Sequence, residues 1–408
     1  MPHRPQTAAL LLGAAILFLA GGMLGLLLPL RADLEGFTPG LIGLLGSAYA
    51  AGYMTGCLTV PKLVLRVGQV RTFGALSVLV AIAALLHALL VLPLPWLALR
   101  ALSGFAMAGS AMIIESWLNE AASPTDRGRI FGRYMLVNLV GGTAGQLAIG
   151  LSGAEGFEPF AAIAILGCLA LLPTALSGGQ APQPLTQARL ELGRLFRVSP
   201  IAAVGCFGIG LANGAFGTLG ALWARSIGLG IGTAALFTSA AVVGGAIAQT
   251  PMGRLSDRMD RRFVLLGGTL LAATASLLFL LVQPATAPAA IALGLLLGAA
   301  MHALYPIALA HASDLAPEGS FVTVGGGLLL LFGAGAALGP ALAALSLQRL
   351  GPDGIFAFLL AVYLLLAGYG IWRLARRRPA VAARHRFAWL SLPRVLTPET
   401  ASLDPRAA

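Results

Sequence analysis

Residues 231–283 read IGTAALFTSAAVVGGAIAQTPMGRLSDRMDRRFVLLGGTLLAATASLLFLLVQ. Two apolar runs, 231–252 and 263–283, flank a short turn that holds almost all of the charge. A helix rising 1.5 Å per residue needs about 20 apolar residues to cross the ~30 Å hydrocarbon core of a bilayer. Both runs are that long, and the turn between them is too short for anything but antiparallel neighbours. The stretch therefore reads as two membrane-spanning helices joined by a basic turn.

The same pattern extends in both directions. Runs of comparable length lie at 8–30, 40–62, 72–92, 96–117, 133–153, 158–177, 200–222, 288–311, 321–346 and 354–374, which with the first two makes twelve expected spans. Prolines mark the tight connections at Leu92–Pro95 and Pro284–Pro288 as turns. The first run is too long for a signal-peptide core and ends without a small-residue cleavage site, so it reads as a retained span. Composition agrees: of 408 residues, 58% are hydrophobic and only 10% charged, where a soluble domain carries about 25% charge. The 53 glycines suit close helix packing in lipid. Cys57, Cys168 and Cys206 fall inside apolar runs and lack metal-ligand spacing.

The net charge of +11 is a matter of sidedness and not a nucleic-acid signal. With twelve spans both termini share one side. Arg31, Arg225 and Arg349 fall on the opposite side and Arg100 inside a span, while every other Lys and Arg falls on the side of the termini. The positive-inside rule then places both termini in the cytoplasm of a multi-pass plasma-membrane protein.

The longest loop on that side divides the chain. It predicts a six-span half over 1–176, a linker over 177–199, a second six-span half over 200–375 and a basic tail over 376–408. Within the linker, LTQARLELGRLF has the pattern of a short amphipathic surface helix. The halves echo each other. PKLVLRVGQVRTFG follows span two as GRLSDRMDRRFVLLGG follows span eight, and ESWLNEAASPTDRGRIFG follows span four as AHASDLAPEGSFVTVGGG follows span ten. Parallel six-span repeats are a known transporter design.

Gly253, Leu255, Asp257, Arg258, Arg261 and Arg262 resemble the G-x-L-x-D-R-x-x-R-R signature of the major facilitator family. In that family the signature joins the second and third helices and often recurs between the eighth and ninth. Here the first copy departs: Pro61 stands for the Gly and Leu65 for the Asp, leaving Lys62, Arg66 and Arg71. The acidic charge-relay role implied by the resemblance thus lacks its residue in the first half. Arg100 with Gly104 resembles the family's R-x-x-x-G of the fourth helix. Ile114 to Asn119, Arg127-Gly128-Arg129, Tyr134-Met135, Tyr305-Pro306, Ala310-His311 and Asp314 are similar to the YcaD-like branch. The resemblance implies an all-α membrane fold of two six-helix pseudo-repeats. It also implies transport of a small solute by alternating access, coupled to protons, with uptake or efflux left open and a monomer compatible.

Candidate functional residues follow. Asp257, Arg258, Arg261 and Arg262, with Arg66 and Arg71, form an expected gate: a charge-assisted clasp across a tight turn that also reaches helix ends of the neighbouring bundle. Arg100, a turn inside span four, costs at least ~2.5–3.5 kcal/mol if it faces lipid, so it is expected to face a cavity; snorkelling to headgroups is the alternative. Glu115 lies on the same helix within ~60° of Arg100, and reads either as a proton acceptor or as a helix-end partner of Arg127 or Arg129. His302 and Tyr305 share a face of span ten before Pro306, which frees a backbone carbonyl; a packed histidine is the alternative. Asn213 sits mid-span seven, which lines the cavity in the resembled family. Asn138 and Gln146 read as helix-bonding amides, and His87 as structural or interfacial.

No G-x-x-x-x-G-K-[ST] loop is present to bind nucleotide, no paired His or Cys suggests a metal, and no cofactor is expected. Arg100 and Glu115 lie about 22 Å apart along the helix axis, too far to act on one bond, so an enzyme is not expected. The partners expected are a small-molecule solute, protons, and anionic headgroups beside the basic tail. A membrane-embedded ligand sensor or non-transporting scaffold is the other class the sequence fits.

Overall fold

The structure, a computed structural model, describes residues 4–121, 126–173, 192–316, 321–376 and 397–403. Among these residues it is all helix. The helices are α1 (Arg4–Leu34), α2 (Pro39–Val67), α3 (Gln69–Leu89), α4 (Pro93–Ala121), α5 (Arg127–Ser152), α6 (Glu158–Leu169) and α7 (Leu192–Val198). They continue with α8 (Pro200–Ser226), α9 (Ile231–Arg258), α10 (Arg261–Val282), α11 (Ala287–Asp314), α12 (Phe321–Leu350), α13 (Gly354–Arg376) and α14 (Pro398–Leu403). Eleven of the described helices are long and apolar enough to cross a bilayer. The expected sixth span begins as α6 (12 residues); a turn at Ala170 and Leu171, bonded to the Leu166 and Cys168 carbonyls, follows, and helix resumes at 172–173, where the described residues stop. Residues 174–177 of that expected span, and the linker up to residue 191, lie outside the described residues.

Local chemistry sets the ends. Thr38 caps α2, its hydroxyl accepting from the Leu41 N–H, with Pro39 at the first helical position. Ser199 and Pro200 repeat the device at α8. Gly68 adopts φ 89° between α2 and α3, a conformation that only glycine takes without strain.

The packing is two-fold repetitive. In the first six helices α1 packs on α5, α2 on α4, and α3 on both α4 and α6. In the second set α8 packs on α12, α9 on α11, and α10 on both α11 and α13. The two tightest places match as well. A Cβ on Gly52 or Gly104 would collide with the Ala101 or Tyr49 carbonyl across the α2–α4 contact. A Cβ on Gly244 or Gly298 would collide with the Leu295 or Ala241 carbonyl across α9–α11. Small residues let these backbones touch, which in lipid replaces the hydrophobic effect as the source of packing energy.

Across the halves, α2 meets α12 and α5 meets α9. These contacts are close at the end opposite the start of α1. A Cβ on Gly43 would lie 2.6 Å from the Pro340 carbonyl, one on Gly150 would lie 2.7 Å from the Ala235 Cβ, and the Ser239 hydroxyl donates to Gln146 Oε1 at 3.3 Å. At the same end Trp223, Phe237, Phe279 and Phe356 form a buried aromatic cluster, and Asp353 accepts from Trp223 Nε1 at 3.2 Å. His87 is structural, as its apolar setting suggested. It is fully buried, its Nδ1 donates to the Ala83 carbonyl, and its ring meets Trp96 edge-on.

Candidate functional site: a central cavity

Between the halves lies a cavity of about 430 Å³, within the range of small-molecule sites. Its walls come from α1, α2, α4 and α5 of the first half and α8, α9, α11 and α12 of the second. Three of the five expected cavity residues line it: Arg100, Asn213 and His302. The Arg100 guanidinium lies over the Tyr49 ring, 4.4 Å from its centroid. The close α2–α4 approach at Gly104 makes that stacking possible. Asn213 donates to the Ile209 carbonyl at 2.9 Å. His302 Nδ1 donates to the Gly298 carbonyl at 3.1 Å, which places its proton on that nitrogen.

Tyr305 stands one layer behind. It is buried and packs edge-on against Phe332, whose side chain forms part of the wall. Glu115 is displaced from the cavity surface in a different way. It is fully buried and accepts a hydrogen bond from Tyr134 Oη at 2.7 Å and another from the Thr397 hydroxyl. Arg129 instead holds Asp126 at 2.6 Å, and the Arg127 side chain lies outside the described residues. The stripe of span four thus separates into a cavity residue, Arg100, and a residue sealed at the mouth, Glu115.

Several wall residues were not expected. Asn138 and Gln146, read as helix-bonding amides, both line the cavity; Gln146 also bonds across the halves. Tyr49, Tyr53, Thr143, Thr218 and Thr238 line it as well. Among the described residues, Asn138 Nδ2 and Thr143 Oγ1 have no hydrogen-bond partner. Lys62 stands at the mouth on the side where α1 begins. Asp and Glu are absent from the described wall.

The signature turn lies on that same side. Arg261, 3% exposed, is held by Asp314 at 2.7 Å, by Asp257 at 3.2 Å and by the Ser256 hydroxyl. This clasp ties the ends of α9, α10 and α11 within one half. Asp260 caps α10, accepting from the Arg262 N–H at 3.0 Å. Hydrogen bonding from the Arg262 guanidinium holds its carboxyl below the ordinary value. Gly253 is buried, Arg258 is exposed, and Arg66 and Arg71 are exposed in the first turn. Gln69 takes in α3 the buried first-residue position that Arg261 takes in α10, and bonds Ser116 of α4 at 3.4 Å.

The described part of the tail, Thr397–Leu403, packs against α4, α5 and α12. Buried Glu115 draws the Thr397 hydroxyl inward as a partner. Residues 377–396, including Phe387 and Trp389, lie outside the described residues.

Comparison with known proteins supplies the family. The model of the Major Facilitator Superfamily matches residues 10–244 and 202–400. The MFS-type transporter YcaD of Escherichia fergusonii is 28% identical over 363 residues, 88% of this chain and 94% of that protein. YcaD of Salmonella typhimurium strain LT2 is 29% identical over 367 residues, with the same coverage. Among solved structures, the inward-facing, occupied form of a bacterial homolog of the human lysosomal transporter Spinster superposes with TM-score 0.76 at 16% identity, covering 93% of this chain and 100% of that one. The nucleoside transporter NupG superposes with TM-score 0.73 at 14% identity, covering 93% of this chain and 100% of that one. These likenesses are to transporters rather than enzymes. With twelve expected spans, a repeated six-helix packing and a family model that matches nearly its whole length, the chain belongs to the Major Facilitator Superfamily of multi-pass membrane transporters.

Proposed function

We propose that this chain moves a small amphipathic, weakly anionic solute across the bacterial inner membrane by alternating access, coupled to protons. One observation carries the solute class. The described cavity wall holds Arg100, Lys62 and His302, amide and hydroxyl donors, and aromatic rings, but no carboxylate. A desolvated cation is costly in such a wall, while an anion gains a guanidinium and uncommitted donors at Asn138 and Thr143. The rings of Tyr49, Tyr53, Phe216 and Phe332 suit an apolar body.

The distribution of Lys and Arg favours cytoplasmic termini. On that assignment the halves, 1–176 and 200–375, touch at the periplasmic end and the cavity reaches toward the cytoplasm. Rocking of the halves about the cavity then gives the opposite state. The linker 177–199 lets them move. The Arg261 clasp keeps the cytoplasmic ends of α9, α10 and α11 moving as one body. His302, an imidazole on the wall, is the candidate for carrying a proton with the solute. The basic residues of the tail 376–408 favour anionic headgroups nearby, and a monomer suffices for the cycle.

A thermal-shift screen tests the solute class. Purified protein is heated with small organic anions, neutral solutes and organic cations, at pH 6 and pH 8. A ligand at 100 times its Kd stabilises by about 2.7 kcal/mol. Stabilisation by anions that disappears in Arg100→Ala is expected. Stabilisation by cations, or hits indifferent to Arg100→Ala, would overturn the reading.

A further inference from the structure

We propose that the C-terminal segment Thr397–Leu403 is a built-in plug for the cavity, seated in a site formed for it by α4, α5 and α12. The inference rests on the transporter reading only for its consequence, since the site itself is argued from contacts.

Three polar side chains of the segment are buried as deeply as the core. Thr397, Glu399 and Thr400 are 1%, 2% and 3% exposed. The segment begins as a capped turn: the Thr397 N–H donates to the Thr400 hydroxyl at 2.9 Å, with Pro398 at the first helical position. That geometry turns the Thr397 hydroxyl away from its own helix and toward α4, where it donates to Glu115, 282 positions away in sequence. Tyr134 of α5 donates to the other oxygen of the same carboxylate. Among the described residues Glu115 pairs with no cation, so its buried carboxyl group relies on hydrogen-bond partners. Here the tail supplies one of them, so the site is incomplete without the tail.

Position makes the contact consequential. Pro398 is part of the cavity wall, together with Lys62, Leu58 and Gly326 at the same mouth. The segment touches α4 and α5 of the first half and α12 of the second. A body wedged between both halves at one mouth resists passage through it. It also resists closure of that mouth, which alternating access requires. The plug therefore holds the protein in a single access state, and transport requires its release.

The native cysteines give a readout that needs no solute. Cys57 lines the cavity; Cys168 and Cys206 are replaced by Ser. Reaction with a charged, water-soluble maleimide is followed in the full chain, in a chain ending at Leu396, and in Thr397→Val. The expected result is at least tenfold faster labelling in the shortened chain and a several-fold increase in Thr397→Val. A synthetic peptide of residues 393–408 should return the shortened chain toward the slow rate. Equal rates in the full and shortened chains would overturn the plug. A second arm covers the case in which the shortened chain fails to elute as a folded species. Pro398→Cys in the full chain should label slowly until the protein is denatured. Labelling as fast as in denaturant would overturn the proposal, and would leave the transport reading untouched.

Discussion

Gln69 and Arg261 occupy the same place in the two halves, each the buried first residue of a third helix, but only Arg261 carries charge. Arg261 reaches Asp314 at 2.7 Å, and Gln69 reaches Ser116 at 3.4 Å. The repeat has kept the architecture of the turn and changed its chemistry. An ion pair ties the second half, and a long neutral hydrogen bond ties the first.

The two turns should therefore differ in what they contribute. Arg261→Ala leaves the Asp314 carboxylate, whose side chain is 9% exposed, without its guanidinium. Loss of one member of a buried pair costs about 3–5 kcal/mol. Gln69→Ala removes a neutral hydrogen bond worth about 1 kcal/mol. Thermal unfolding in detergent should show a much larger drop for Arg261→Ala, and equal drops would contradict the asymmetry.

Acid should act on the same turn in one direction. Arg262 lowers the folded-state pKa of Asp260 below its ordinary 3.8, so the pair's contribution is fully present above that value. It is lost as pH falls through the depressed folded value. Unfolding temperature should thus be insensitive to this pair between pH 5 and pH 8. The wild type should lose its advantage over Asp260→Asn only below about pH 4. An advantage that already fades near pH 6 would refute this assignment.

Backbone contact predicts where glycine is indispensable. Gly104→Leu and Gly298→Leu should each lose at least about 1–3 kcal/mol, because their side chains would enter the facing helix backbone. Gly267→Ala, with no heavy atom within 4 Å of the added carbon, should stay within about 0.5 kcal/mol. The yield of monodisperse protein and its unfolding temperature check the contrast.

The stacking of Arg100 on Tyr49 should matter as geometry as well as charge. Tyr49→Phe keeps a ring under the guanidinium and should bind solute nearly as well as wild type. Tyr49→Ala should weaken binding by about 0.5–2 kcal/mol. Arg100→Lys should not restore Arg100→Ala, because an ammonium lacks the planar fork. Titration of a hit by thermal shift separates these cases.

Much of this fold was legible in the sequence because membrane helices leave a long, simple signal. The apolar runs, the basic turns and the echo between the halves all sit in contiguous residues. The sixth span holds a local break that its apolar run does not signal, a turn at Ala170 and Leu171 between α6 and the helical residues 172–173. Arg100 could be assigned to an interior because lipid penalises charge. Asn138 and Gln146 could not be assigned to the wall, since an amide that bonds a neighbouring helix and one that faces a cavity look alike in sequence. Tyr49 and Tyr53 lack any charge signal. The pairing of Glu115 with Thr397 joins residues at opposite ends of the chain with no shared periodicity, so only the fold reveals it.

Solute counterflow in proteoliposomes tests the central claim most directly. Vesicles containing the protein are loaded with an unlabelled organic anion identified by thermal shift, and entry of the labelled anion is followed. Transient accumulation is predicted, reduced at least tenfold by Arg100→Ala and retained in Arg349→Ala, which alters an exposed loop-side Arg. Binding of the anion without any exchange across the membrane would contradict transport and make the protein a ligand sensor built on a transporter fold.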